Sequence, residues 1–214
     1  AQDEQGNEYY GEKVLLATGG TPRRLPFGGN DIIYYRSLES YRRLAALSAE
    51  HDQFAIIGGG FIGAEVGAAL AMNGKKVTML FPEDAIGARI YPPEIAGYLN
   101  TTFREKGVEV LAGESVTGMT ARGGRQVVQT ASGRDVAVDG VIAGIGILPN
   151  VELAQAAGLQ VGNGIVVDET LQTSHANIYA AGDVAEFYNP ALDKRMRVEH
   201  EDNANSMGMQ AGSN

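Results

Sequence analysis

Gly58, Gly60 and Gly63 stand at the spacing G-x-G-x-x-G, in the run Gly58-Gly59-Gly60-Phe61-Ile62-Gly63. At the first place glycine permits a sharp turn. At the second it lets a phosphate approach the backbone, and at the third it lets a helix lie close on the preceding strand. Glu83 follows Gly63 by 83 − 63 = 20 residues, the spacing at which an acid accepts hydrogen bonds from a ribose. Together these residues describe a cradle for the pyrophosphate and adenosine ribose of a dinucleotide. Such a site needs no nucleophile or general base from the protein, because the cofactor carries the chemistry.

The elements that must position these residues are legible around them. Phe54 to Ile57 is an apolar run of strand length, and Ile62 to Met72 is a helix pattern with Ile62, Val66 and Ala69 on one face. The helix N-terminus directs N–H groups and a partial positive charge at a phosphate. Lys76 to Phe81 reads as the next strand, with Glu83 just beyond it. A plain α/β turn that binds nothing has glycines too; strand, turn, helix and acid in this order favour the dinucleotide.

Toward the N-terminus, Glu12 to Ala17 is a short strand stopped by Thr18-Gly19-Gly20-Thr21-Pro22, which is either a close-approach loop or an ordinary Gly-Pro turn. Ile32 to Tyr34 is extended, and Ser37 caps a helix bearing Leu38, Tyr41, Leu44 and Leu47. Pro92 or Pro93 opens another helix, with Ile95, Leu99 and Phe103 on one face and Gly107 at its end. Val108 to Leu111 is a third strand. Between Ser115 and Val138 the pattern shifts to short alternating runs, which predict an inserted antiparallel meander. Gly140 to Ala143 returns to a buried parallel strand, broken by the run Gly144 to Asn150. A short helix from Val151 to Ala157, strands at 164–167 and 177–181, and a helical stretch from about Ala204 follow.

Composition excludes several classes. Of 214 residues, 17 are basic and 26 acidic, for a net charge of −9, which disfavours nucleic acid, whose phosphates need Lys and Arg. With 0 cysteines, no disulfide, thiolate metal site or Cys redox pair exists within these residues. No apolar run approaches the roughly 18 residues of a membrane span. The polar start Ala1-Gln2-Asp3-Glu4 does not look like a signal peptide, and a cytoplasmic location is expected. His51 and His175 match no motif, and no metal site is expected.

Four spaced motifs carry a family resemblance: Val14-Leu15-Leu16-Ala17-Thr18-Gly19-Gly20, the central fingerprint, Gly146-x-x-Pro149-Asn150, and Ile178-Tyr179-Ala180-Ala181-Gly182-Asp183. In this order the chain resembles the two-dinucleotide flavoprotein reductases, the pyridine nucleotide-disulfide oxidoreductases. Leu80-Phe81-Pro82-Glu83 and Arg197-Val198-Glu199-His200 look most like apoptosis-inducing factor, then ferredoxin and rubredoxin reductases. Such proteins begin with an FAD-binding GxGxxG and end with an interface domain, and this chain has neither motif, so it is expected to be an internal piece. The implied fold is α/β: a Rossmann-like three-layer NAD-binding domain at 25–147 with the inserted meander. It is flanked by partial FAD-domain segments at 1–24 and 148–214.

The resemblance also implies residue roles. Gly58, Gly59, Gly60, Phe61, Ile62 and Gly63 would cradle NAD(H), Glu83 would hold its ribose, and Gly146 would let the nicotinamide lie flat. Glu65 would bond the carboxamide, or is simply an acid favoured near a helix N-terminus. Arg89 would lie near the same cofactor, or is a solvated loop charge. Glu199 and His200 are expected near NAD. Arg23, Asp183, His200 and Glu201 are expected near FAD, although Asp183 taken alone reads as a strand-end turn residue. One position departs from ferredoxin reductases, which carry an aromatic beside the flavin where this chain has Glu201; a carboxylate cannot stack. The implied activity is NADH-dependent reduction of FAD, then of an acceptor protein or small molecule, in a parent that could be oligomeric. The alternatives are a disulfide or peroxide reductase of the same family and a non-enzymatic redox-sensing module.

Overall fold

The apolar run of the fingerprint becomes the strand Gln53–Ile57, the middle of a five-stranded sheet in the computed structural model, which describes residues 2–214. The strand order is Ile32–Tyr34, Gly140–Ala143, Gln53–Ile57, Lys76–Phe81, Glu109–Ala112, and every neighbouring pair is parallel. A parallel sheet must be covered on both faces. Alternation along the middle strand shows how. Phe54 and Ile56 pack with Leu44, Val66 and Leu70 from the helices Leu38–Glu50 and Phe61–Met72. Ala55 and Ile57 point the other way, into a cluster with Val128 and Val138.

That second face is covered by the predicted meander, the antiparallel strands Val116–Arg122, Arg125–Thr130 and Asp135–Val138. The result is three layers: helices, parallel sheet, meander. Phe54, Ile56 and Met79 are 0% exposed, and burying each such side chain is worth about 1.5–3 kcal/mol.

Two helix faces differ from the sequence expectation. In Phe61–Met72 the buried residues are Gly63, Val66, Gly67 and Leu70, while Ile62 and Ala69 are exposed. In Pro93–Glu105, Ile95 is 50% exposed, and the inward residues are Ala96, Leu99, Asn100 and Phe103. In the first helix Gly63 packs on the Gly58 backbone and Gly67 on Met79, and in the second Asn100 turns inward to bond the backbone of Asp84 and Ile86, so an apolar-only reading rotates the face.

The chain divides into two compact units, Pro22–Gly146, described above, and residues 2–21 with Ile147–Asn214. In the second unit Val14–Leu16 lies parallel to Ile178–Ala180. Ile165–Val166 pairs with Ala185–Asn189, which in turn pairs with Lys194–Met196. Its core gathers Leu159, Ile165, Val167, Tyr179, Val184 and Met207. The strands Ala185–Asn189 and Lys194–Met196 lack a clear apolar alternation and were not expected. The segment expected to break the chain after Gly144 contains the short strand Ile147–Pro149, and Gly20–Pro22 is a strand too. The last helix, Glu201–Ser213, begins three residues before Ala204 because the His200 imidazole caps it, accepting from the Asp202 N–H at 3.2 Å. Among the described residues no helix is long and apolar enough to cross a membrane.

Candidate functional site

Gly58 leaves the middle strand with φ +112°, a conformation that favours glycine. Its N–H donates to the Leu80 carbonyl at 2.9 Å. The turn is so tight that a Cβ on Gly58 would overlap the Gly144 carbonyl oxygen, and one on Gly63 would overlap that of Gly58. Gly60 is different. It has φ −81°, which any residue can adopt, and a Cβ there would meet nothing within 4 Å. Packing therefore explains the first and third glycines, whereas the second borders open space. Gly60 is also the N-cap of Phe61–Met72, and no side chain caps that helix. Open space at an uncapped helix start suits a phosphate, which N–H groups and the helix dipole would hold. Glu65 lies exposed on the same helix.

Glu83 lies just past the end of Lys76–Phe81. Its carbonyl accepts from the Gly113 N–H at 2.9 Å. Its carboxylate, 23% exposed, forms an ion pair with Arg89, whose side chain is 81% exposed. The loop carrying both is tied to the glycine turn, because the Gly87 N–H donates to the Gly59 carbonyl at 2.8 Å. Asn100, 7% exposed, ties it to the helix Pro93–Glu105. The Asn100 amide donates to the Asp84 carbonyl and accepts from the Ile86 N–H, each at 3.0 Å. Sequence reasoning passed over Asn100; its one signal is a polar residue at a core position of an amphipathic helix. Gly146, with φ +88°, receives the Arg23 N–H on its carbonyl at 2.9 Å, so these two expected residues are neighbours.

The other expected residues lie in the second unit. The loop after Val14–Leu16 and the turn Gly182–Val184 follow the carboxyl ends of two paired parallel strands, where α/β sheets place ligands. Asn150 secures the first: its carbonyl accepts from the Thr18 hydroxyl at 2.6 Å, and its amide donates to the Thr18 carbonyl at 2.9 Å. Arg197 links the rest, donating to the Asp183 carbonyl at 2.7 Å and pairing with Glu199 at 3.0 Å. Its side chain is 8% exposed; the sequence names it only within the run Arg197-Val198-Glu199-His200 and gives it no role of its own. His200 caps the final helix, and Glu201 opens it, exposed, accepting from the Asn205 amide at 3.1 Å.

Fold and turn define a Rossmann-type α/β protein. The family model of the pyridine nucleotide-disulphide oxidoreductases matches residues 1–208. The chain is 37% identical over 202 residues to putidaredoxin reductase of Pseudomonas putida, covering 90% of this chain and 48% of that protein. It is 35% identical to the rubredoxin-NAD(+) reductase of Ectopseudomonas oleovorans, covering 94% and 53%. The putidaredoxin reductase chain in the covalent putidaredoxin reductase–putidaredoxin complex superposes with a TM-score of 0.90 at 35% identity, covering 98% of this chain and 52% of that one. The chain belongs to the pyridine nucleotide-disulphide oxidoreductase family. It spans about half the length of these curated relatives.

Proposed function

We propose that this chain is the NAD(H)-binding part, with portions of the FAD-binding part, of an NADH-dependent flavoprotein oxidoreductase. The carrying observation is the space at Gly60, which a Cβ would fill and which lies at an uncapped helix start. When bound, the nicotinamide cofactor supplies a hydride that the flavin accepts. The residues do the positioning. Gly58 to Gly63 hold the pyrophosphate, Glu83 accepts from the adenosine ribose hydroxyls, and Glu65 orients the carboxamide. Gly146 gives the nicotinamide a flat approach. Arg89, Glu199 and His200 complete the NAD(H) set. Arg23, Asp183, His200 and Glu201 serve the flavin, and Arg197 joins Asp183 to Glu199.

Relatives named for putidaredoxin and rubredoxin support an acceptor that is a small electron-carrier protein of that kind. The test is titration of the chain with NADH, followed by nucleotide fluorescence, and NADH-dependent reduction of a ferredoxin or rubredoxin by the FAD-loaded parent. Absence of NADH binding overturns the nucleotide assignment. NADH oxidation with small acceptors but never with carrier proteins overturns the acceptor class.

A further inference from the structure

We infer that Asn100 is a positioning residue for cofactor choice, holding the loop that presents Glu83 to the adenosine ribose. The inference rests on the dinucleotide reading given above. Glu83 is placed by its own carbonyl, through Gly113, and by the loop that follows it. That loop has no regular secondary structure between Phe81 and Pro93. Two ties hold it on the side of the chain that leads to Arg89. One is the Gly87 N–H on the Gly59 carbonyl. The other is Asn100, which occupies both ends of its amide on the backbone of Asp84 and Ile86.

An amide is the right group for this work. It presents a donor nitrogen and an acceptor oxygen in one plane, matching a carbonyl and an N–H two residues apart. Its burial makes the pairing stringent, because a lost partner leaves a polar group unsatisfied. Ala96 and Phe103, on the same helix face, lock the position. Asn100 therefore transmits the register of the third helix to the loop that carries the ribose acid and its Arg89 partner, without touching the cofactor.

The test is a double-mutant cycle on the whole chain, with NADH and NADPH as probes. Asn100→Ala should weaken NADH binding about tenfold and narrow the NADH over NADPH preference by a similar factor. In a Glu83→Ala background the same substitution should add less than about twofold, since sites acting through one another are not additive. Asn100→Asp, close in size and still able to accept from Ile86, serves if the alanine variant does not fold, and it should show the same coupling to Glu83. Circular dichroism and thermal melting report folding. Full additivity, or an unchanged cofactor preference in a folded Asn100 variant, overturns the inference. A wild-type chain that binds neither nucleotide overturns the dinucleotide reading itself.

Discussion

The carbonyl oxygen of Gly58 faces the α-carbon of Gly63 so closely that no β-carbon fits between them. The third glycine of the turn is thus a packing requirement of the folded chain. Gly63→Ala should destabilise the chain by about 1–3 kcal/mol, the range for forced overpacking. Urea or thermal unfolding measures it. A stability equal to wild type would show that the turn relaxes freely.

Gly60 should behave in the opposite way. A serine there meets open space, has an allowed backbone and can cap the helix. Gly60→Ser should hold or raise stability by a few tenths of a kcal/mol. NADH affinity should fall at least tenfold, roughly 1.4 kcal/mol, because the side chain fills the phosphate's place. Melting and NADH titration of one variant separate the two effects, and retained affinity would move the phosphate elsewhere.

Glu83 and Arg89 act in opposite directions on cofactor choice. The carboxylate repels a ribose 2′-phosphate, and the guanidinium both neutralises that carboxylate and attracts the phosphate. Glu83→Ala should bring NADH and NADPH close to parity. Arg89→Ala should widen the NADH preference, by roughly two- to fivefold, a modest factor because the arginine is mostly solvated. Paired titrations decide it. A narrowed preference in the arginine variant would reverse the assignment.

Asp139 ties the middle strand to the meander. It accepts from the Gln53 N–H at 2.9 Å and from the Arg125 Nε at 3.0 Å. Burial opposes its charge, but the Gln53 N–H, the Arg125 guanidinium and the Asp52 N–H outweigh burial and hold its carboxyl below the ordinary 3.8. A lowered folded value contributes stability that is present above the unfolded pKa and lost as pH falls from there through the folded value. Asp139→Asn should cost about 1–2 kcal/mol at neutral pH. The gap should close progressively below about pH 4. Urea midpoints across that range are the measure, and a gap independent of pH would remove the charge from the account.

The glycine turn, its flanking strand and helix, the acid 20 residues on and the meander are all legible in the order of the amino acids. Each rests on a local signal: a period of 2 or 3.6, a spacing, or a residue whose backbone freedom a turn demands. Tertiary structure alone decided why each glycine is there, because a Cβ at 58 or 63 meets backbone and one at 60 meets nothing. It also turned two helix faces. Ile62, Ala69 and Ile95 fit the apolar period but are exposed, because Gly63 and Gly67 in one helix and Asn100 in the other take the inward places. It revealed the contacts of Asn100 and Arg197 with the backbone of Asp84, Ile86 and Asp183, groups that only folding brings within reach. The hairpin of Ala185–Asn189 with Lys194–Met196 was also found only in the structure. Its mixed residues carry no period, and its register pairs Phe187, which packs against the core, with Met196.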